Sequence, residues 1–556
     1  MGFENLSYSK EVNTLTRKYL IPKRIIKAEN TDRVENLLAD NPRQPALGTY
    51  ESTIIRKGGW VLLDFGSEIQ GGVDIVVEFT GEKRSRIRLV FGESVMEALS
   101  EIGYKNATND HSVRDTILEV AHLSSARFGN TGFRFVKVES LDSDLDIRTI
   151  KGVFEYKDVP YLGSFESNDE LLNKVWQTAA YTVHINMLDY LIEGTKRDRL
   201  AWMGDLHPEV STVLAVFGDI DTVPKTLDLV RDDTPLDKPE NPEEPHLAWM
   251  NFIPSYTFWW IKIQRDWYMH TGNIEYLNQQ KDYMYKAVDR ILAKITPDGD
   301  LNFHAYFVDW SSNNTEYMKA GFRGCLIIGL TAAAEIFEIY NDNEMSKKCK
   351  EIIKLVSSKV EDYAGNKQMA AIVSLSDLAD SKDISENIIK KDLLKGLSTF
   401  YGYYVLHALA KTGDTQSALD IMRQYWGAML KLGATTFWED FDIEWIENAA
   451  PIDEIVPEGK VDVHGDYGKF CYEKFRHSLS HGWASGPAPF IAQHILGFEI
   501  AEPGCKKMKI TPHLGDLEWA KGTYPTPYGV VSVEHKKENG KIITKIDAPK
   551  EIEIIK

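Results

Sequence analysis

The sequence predicts a multidomain α+β protein in which a ring of paired helices, an α/α toroid, is flanked by N-terminal and C-terminal antiparallel β-sandwich segments. Three observations predict it: short alternating strands before residue 160, a long helical zone after it, and a return to strands after 504. With 556 residues, 43% of them hydrophobic, the chain is too long for one ordinary domain. The predicted domains are residues 1–160, 161–497 and 498–556.

The first zone, from about Gly48 to Val159, contains alternating apolar runs that glycines separate. The clearest runs are residues 60–65, 72–79, 85–91 and 133–139. Several strands at this spacing are typical of an antiparallel sandwich.

Helical spacing begins after Ser167. The segment from Ser167 to Glu170 has the pattern of a capping box, with Ser167 as the predicted cap. Pro208 suits the first turn of another helix. Helices are also predicted at 276–292, 325–339, 352–360, 400–409 and 418–432. About 330 residues with this many helices exceed a simple bundle, whereas helices paired around a ring accommodate them.

The last zone predicts a hairpin. Runs 528–535 and 541–546 flank Asn539-Gly540, a strong turn signal. Because about fifty residues give a small core, we expect this segment to pack on the helical domain.

Charge and cysteine usage restrict partners and compartment. A net charge of −19 repels phosphate backbones, so nucleic acid and anionic membranes are poor partners. The N-terminus, Met1 to Asn5, has no signal-peptide pattern, and no run of about 18 apolar residues predicts a membrane span. The four cysteines lack CxxC spacing, which favours buried thiols in a reducing compartment. We therefore expect a cytoplasmic protein.

Residues 193–205 form the first segment with candidate chemistry. They contain Glu193, Asp198 and Asp205 together with Arg197 and Trp202. A surface loop with internal ion pairs is one interpretation. An aromatic ring beside carboxylates is also how a site stacks on a sugar, which favours a carbohydrate site.

A second segment, residues 435–445, embeds Glu439 between aromatic residues, and a third, 480–487, contains His481 among glycines. Taken singly, an acid between aromatic residues or a histidine among glycines more often has a structural role than a catalytic one. Two aromatic-framed carboxylate loops about 240 positions apart change the balance, since glycoside hydrolysis needs two carboxyls facing one bond. Motifs of metallopeptidases, nucleotide-binding proteins and serine hydrolases are missing from the sequence.

At these residues the sequence resembles the bacterial α-L-rhamnosidases of glycoside hydrolase family 78. Residues 193–205 follow, without a gap, the family pattern Asp-Cys-Pro-x-Arg-Glu-Arg-Leu-Gly-Trp-x-Gly-Asp. The resemblance implies that Asp198 is the general acid and that Glu193 and Asp205 are binding acids. Arg197 and Trp202 match the pattern directly.

The Thr-Thr-Phe-Trp-Glu run at 435–439 resembles the family's Thr-Thr-x-Trp-Glu, which implies that Glu439 is the general base. The resemblance also implies an (α/α)6 barrel between sandwiches, since Asp64–Gly66, Phe91–Ser94 and Tyr524–Gly529 resemble the family's flanking domains. The other residues that it places in the sugar site are Trp249, Asp309, Trp310, Trp438 and His481.

Two departures from the pattern concern the acid. Asp198 stands where the family has Glu, and Glu193 stands where it has Asp. The shorter acid must be carried closer by the backbone, and we expect the reciprocal exchange partly to compensate. Glu193 and Asp205 are alternative acids.

The implied reaction is single-displacement hydrolysis with inversion, with carboxyls roughly 6.5–9.5 Å apart. We expect the negative charges of Glu193 and Asp205 to keep Asp198 protonated near neutral pH. No metal and no cofactor is required. The expected partners are rhamnose-containing oligosaccharides or glycosides, and the oligomeric state, a homodimer included, stays open. The rival functions are an inverting glycosidase for another deoxysugar or an unsaturated uronide, and a non-catalytic carbohydrate-binding protein.

Overall fold

The computed structural model describes residues 6–7, 9, 11–47, 51–218, 220–470 and 472–555. The first described strand begins at Thr16, well before Gly48, which lies outside the described residues, as do Met1 to Asn5. An antiparallel sheet with the strand path β1-β7-β3-β6-β4-β5 and β2 on β3 occupies the N-terminal zone. Its strands are β1 (Thr16–Leu20), β2 (Arg24–Asp32), β3 (Thr53–Thr80), β4 (Arg84–Gly92), β5 (Asp115–Ala121), β6 (Ser124–Ser140) and β7 (Leu145–Tyr156).

The long strand β3 folds this sheet into two layers. Its first half pairs with β2 and β6, and its second half pairs with β6 and β7. Leu63 from one half and Ile75 from the other belong to the same buried core, so the sheet closes over itself as a sandwich. Gly71 sits at a bulge with φ 142°, where a Cβ would lie 1.9 Å from the Val153 carbonyl oxygen.

Helices dominate the central zone. Short π-helical turns, Ser385–Ile389, Met422–Trp426 and Ile491–Ile495, extend three of them. After α1 (Val95–Ala98) in the sandwich, the helices are α2 (Glu170–Asn186), α3 (Met203–Val216), α4 (Thr222–Asp232), α5 (Pro254–Thr271), α6 (Ile274–Gln279), α7 (Lys281–Leu292), α8 (Met318–Ile339), α9 (Asn343–Val356), α10 (Lys367–Leu375), α11 (Ser381–Ile384), α12 (Gly402–Lys411), α13 (Thr415–Ile421), α14 (Gly427–Lys431) and α15 (Pro487–Phe490).

Six of these helices close a ring. Helix α3 packs on α5, α5 on α8, α8 on α10, α10 on α12, α12 on α15, and α15 returns to α3. Other helices pack against these six, for example α9 on α8 and α13 on α12. This closure confirms the predicted toroid. Helix α8 is long and apolar enough to span a membrane, but 83% of its most apolar window is buried inside the protein, as for a core helix.

Two helix starts differ from the prediction. Ser167 ends a strand, and Asp169 caps α2 by accepting hydrogen bonds from the amides of Leu171 and Leu172. Helix α3 begins at Met203, so Pro208 lies inside it. Because α3 starts earlier than predicted, Asp205 falls in its first turn. The predicted helix 276–292 is divided between α6 and α7.

The C-terminal strands pack on the ring as expected. The predicted hairpin is confirmed: Glu538 pairs with Lys541 around Asn539 and Gly540, which have φ 50° and 76°. One sheet has the strand order β15-β14-β13-β8, and a second has the order β11-β12-β16. Strands β9 and β10 form a separate two-stranded sheet. The strands are β8 (Ser164–Ser167), β9 (Ala449–Ala450), β10 (Val461–Asp462), β11 (Phe498–Glu502), β12 (Lys507–Ile510), β13 (Trp519–Thr526), β14 (Gly529–Glu538), β15 (Lys541–Asp547) and β16 (Glu553–Ile555).

Three cysteines, Cys325, Cys349 and Cys505, are buried free thiols, as predicted. Cys471 lies outside the described residues.

Candidate active site

Residues 193–202, here called the acid loop, connect α2 to α3. The Glu193 carboxylate accepts hydrogen bonds from the amides of Arg199 (2.8 Å) and Leu200 (2.7 Å), which folds the loop around it. Asp198 and Arg199 adopt left-handed backbone conformations with φ 53° and 58°. The loop therefore buries Glu193 at 1% exposure and leaves the Asp198 side chain 26% exposed.

Residues 435–441, the base segment, hold Glu439 at 2% exposure. The Glu439 amide donates to the Ser478 carbonyl, and the Ser478 amide donates to Glu439 Oε2, both at 3.0 Å. Trp483 Nε1 donates to the Glu439 carbonyl at 2.8 Å. The segment from Ser478 to Trp483 therefore holds the backbone of Glu439 at two points and one oxygen of its carboxylate.

Arg197 connects the acid loop to the base segment. Its Nη1 lies 3.1 Å from Asp198 Oδ1, and its Nη2 donates to Glu439 Oε1. One buried guanidinium thus stands between the two carboxyls that the sequence singled out. Glu439 has the charged partner that a buried carboxylate requires.

Behind this pair lies a second buried group. His481 Nε2 is 3.1 Å from Asp205 Oδ1, and Tyr256 donates its hydroxyl to Asp205 Oδ2 at 3.1 Å. His481 Nδ1 lies 3.7 Å from Glu439 Oε1. Asp205, His481 and Glu439 therefore follow one another in a row.

Burial sets the protonation of this row. It raises the pKa of Asp205 to about 8 and lowers the pKa of His481 to about 4, so both are neutral at pH 7. Burial, followed by the charges of Asp198 and Asp205, raises the pKa of Glu193 well above its usual value. The nitrogens that contact the Asp198 carboxylate are Arg197 Nη1 and, at 3.2 Å, His111 Nε2.

A cavity of about 440 Å³ opens beside Glu439, and Asp309 and Trp310 also line it. The hydroxyls of Ser311 and Ser398 donate to Asp309 at 2.9 and 2.8 Å. Carboxylates and aromatic rings are the lining that a sugar pocket needs. Other lining residues include Phe400, Asp440, Phe470, Tyr472 and Trp483.

Three predicted tryptophans lie elsewhere. Trp249 and Trp438 are 2% and 1% exposed and belong to the hydrophobic core, where Trp249 packs on Phe303 and Trp438 on Phe441. A sugar contact of either ring stays a prediction. Trp202 is half-buried and meets the ring of Tyr256 edge-on.

The sequence reasoning missed several side chains of the site. Tyr256 and His111 give no local signal, and His111 comes from the N-terminal sandwich. Glu209 does give a local signal in the sequence, because it follows Asp205 by one helical turn in α3. Its carboxyl is fully buried, burial raises its pKa well above the usual value, and a Cβ on Gly482 would lie 2.2 Å from it.

Glu93, Glu97 and His464 are the described residues whose ligand atoms are close enough, within 4.8 Å, to hold a metal ion. Two cations already reach this group: Lys196 Nζ lies 2.8 Å and Arg114 Nε 3.3 Å from Glu97 Oε1. The group is an ion-pair network between the sandwich and the ring, and its charges oppose a further cation.

The closed ring of paired helices agrees with the family model that part of this chain matches. Residues 160–325 match the family model of the bacterial alpha-L-rhamnosidase 6 hairpin glycosidase domain, and residues 497–554 match the bacterial alpha-L-rhamnosidase C-terminal domain. The resemblance to the bacterial α-L-rhamnosidases of glycoside hydrolase family 78 is thereby confirmed.

Curated proteins with similar sequences are also α-L-rhamnosidases. An α-L-rhamnosidase of Formosa agariphila is 22% identical over 94% of this chain and 58% of its own length, and one of Streptomyces avermitilis is 22% identical over 89% and 48%. The chain thus spans about half the length of these curated relatives.

Solved structures show the same fold. The GH78 family rhamnosidase of Bacillus sp. GL1 has a TM-score of 0.71 at 22% identity and covers 93% of this chain and 55% of its own. The rhamnosidase of Klebsiella oxytoca with rhamnose bound has a TM-score of 0.67 at 19% identity, over 86% of this chain and 96% of its own.

Proposed function

We propose that the chain is an inverting glycoside hydrolase that releases terminal α-L-rhamnose from rhamnosides. The observation that carries this proposal is the contact of one guanidinium, Arg197, with both Asp198 and Glu439. Two carboxyls from loops far apart in the chain are thereby brought to one guanidinium, and Glu439 lines a cavity that also has aromatic rings in its wall.

The accessibility of the three candidate acids favours Asp198. A general acid must reach the glycosidic oxygen. Both oxygens of Glu193 accept backbone amides, and Asp205 is hydrogen-bonded to His481 and Tyr256. Asp198 alone among the three is partly exposed, so it protonates the leaving oxygen.

Glu439 deprotonates a water on the opposite face of the sugar, with a carboxyl separation of roughly 6.5–9.5 Å and inversion at the anomeric carbon. Asp309 and the neutral Asp205–His481 pair bind sugar hydroxyls, and Trp310 packs on the apolar C5 methyl. The substrates are rhamnose-containing oligosaccharides or glycosides. Buried free thiols support a cytoplasmic location.

The test is hydrolysis of p-nitrophenyl α-L-rhamnopyranoside, with the first product anomer read by proton NMR. We expect β-L-rhamnose first and a loss of about 10²- to 10⁴-fold in kcat for Asp198→Asn and for Glu439→Gln. Asp189→Asn, at an exposed position before the acid loop, is the control and keeps activity. Rhamnose binding without release would indicate another linkage or a binding protein, and α-L-rhamnose first would exclude inversion.

The lysines of the cavity support a second candidate, a glycosidase for an unsaturated uronide. Lys367, Lys391, Lys395 and Lys469 line the cavity, and burial lowers the pKa of Lys367 to about 8. Lys469 is paired with Asp442 and Lys395 with Glu444, which weakens this candidate. Release of an unsaturated uronide, lost in Lys367→Met, with none of rhamnose would establish it.

A further inference from the structure

Glu93, which follows β4 in the N-terminal sandwich, reaches into the catalytic ring. Its carboxylate is fully buried and accepts hydrogen bonds from the Leu479 amide (2.7 Å) and the Ser478 hydroxyl (3.1 Å). Its Oε2 lies 3.3 Å from Lys196 Nζ. A single side chain of one domain therefore contacts two separate segments of another.

The first of these segments holds the base. The Ser478 amide donates to Glu439 Oε2, and the Ser478 carbonyl accepts the Glu439 amide. One residue thus separates Glu93 from the carboxylate of Glu439. A shift of the Ser478 backbone moves one hydrogen bond to this carboxylate and one to the Glu439 backbone.

The second segment is the acid loop. Lys196 directly precedes Arg197 and Asp198, and its ammonium also donates to the carbonyls of Phe475 (2.6 Å) and His477 (2.8 Å). Lys196 therefore joins the acid loop to the chain that leads into Ser478. The family pattern quoted above does not specify the residue at this position.

Burial and neighbouring charges shift the pKa values of the carboxyls around Lys196 in opposite directions. Burial raises the pKa of Glu68 and of Glu93, while Arg114 and Lys196, acting against burial, lower the pKa of Glu97 to about 2. Glu93 and Lys196 are both almost without solvent contact. Displacing the Glu93 side chain would leave the buried Leu479 amide and the Lys196 ammonium without this partner, which is unfavourable.

We propose that Glu93 is a positioning residue for hydrolysis: through Lys196 and Ser478 it holds the acid loop and the base segment at the distance that the reaction needs. This rests on the proposed function. Displacing reacting groups by about 1 Å costs about 10²-fold in rate, whereas sugar contacts made elsewhere in the cavity are unaffected. Loss of Glu93 therefore lowers kcat and leaves KM near its wild-type value.

The test compares wild type, Glu93→Gln and Asp453→Asn. Asp453 is the matched control, because it pairs with Arg24 and Arg134 across the same interface without touching either catalytic segment. Each variant is assayed on p-nitrophenyl and on phenyl α-L-rhamnopyranoside, whose poorer leaving group depends more on the acid. For Glu93→Gln we expect kcat to fall about 10- to 100-fold with KM within about twofold, and to fall further on the phenyl substrate.

Asp453→Asn should keep the wild-type kcat. The proposal would be overturned if Glu93→Gln kept the wild-type kcat, or if Asp453→Asn lost as much kcat as Glu93→Gln. It would also be overturned if KM of Glu93→Gln rose by the same factor as kcat fell. If Glu93→Gln does not fold, Ser478→Ala decides: it removes the hydroxyl contact with Glu93, and an unchanged kcat would also refute the inference. An inactive wild type would instead refute the proposed function itself.

Discussion

Asp205 offers a direct measurement of how burial sets protonation in this site. Its carboxyl is 3% exposed in the first turn of α3, and burial raises its pKa to about 8. Its partner His481 is neutral at pH 7 because burial lowers the imidazole pKa to about 4. The protonated Asp205 can therefore donate to His481 Nε2 while it accepts the Tyr256 hydroxyl. An asparagine has the same shape and the same donor and acceptor.

The magnitude follows from linkage. An unfolded aspartate ionises at about pH 3.9, so between about pH 4 and 8 the native state binds more protons than the unfolded state, and stability falls as pH rises. At pH 7 this cost is about three pKa units, or roughly 4 kcal/mol at most. The Asp205→Asn variant does not have this cost, because an asparagine does not ionise. We expect the variant to gain up to roughly this stability at pH 7 and almost none at pH 4.

Urea unfolding followed by circular dichroism between pH 4 and 8 measures the difference in midpoint between variant and wild type. Other titrating groups are common to both proteins and cancel. Asp64→Asn is the control of opposite sign: Asp64 is equally buried, but Arg134 and Arg24, acting against burial, lower its pKa, so its loss destabilises above about pH 4. If Asp205→Asn is less stable at pH 7, or if its gain does not change with pH, Asp205 is ionised and the reasoning fails.

Two further outcomes are expected. Asp169→Ala removes the cap of α2 and should lower the free energy of unfolding by about 1 kcal/mol. Thermal unfolding measures this loss, with Glu170→Ala as the control. An unchanged melting temperature would show that the cap does not stabilise the protein. Trp310→Ala removes an aromatic wall of the cavity and raises KM more than it lowers kcat, whereas Trp519→Ala in β13 changes neither; equal effects of the two would contradict a sugar contact at Trp310.

The sequence located the site residues that stand in short segments where several acids and aromatic rings occur together. One loop contains Glu193, Arg197 and Asp198, and their spacing can be read directly from the sequence. His111 and Glu93 could not be found in this way. They come from the sandwich, and strand periodicity states which face is buried but not which loop of another domain meets it.

Local competition explains the element boundaries that were wrong. The helix begins at Glu170, two residues later than predicted, so Asp169 occupies the cap position while Ser167 pairs with Ala520 in the sheet. In the same way, the aromatic neighbours of acids were informative only as a set. Trp310 lines the cavity, whereas Trp438 faces the core, and the sequence does not state on which side of the backbone a ring points.

The reciprocal exchange of Glu and Asp in the acid loop has a physical basis in its backbone. Glu193 uses its extra methylene to reach the amides of Arg199 and Leu200, and the chain between them turns through left-handed conformations at Asp198 and Arg199. In this turn the Asp198 side chain stays partly exposed and meets Arg197 and His111. The two departures from the family pattern therefore lie in the same hydrogen-bonded turn.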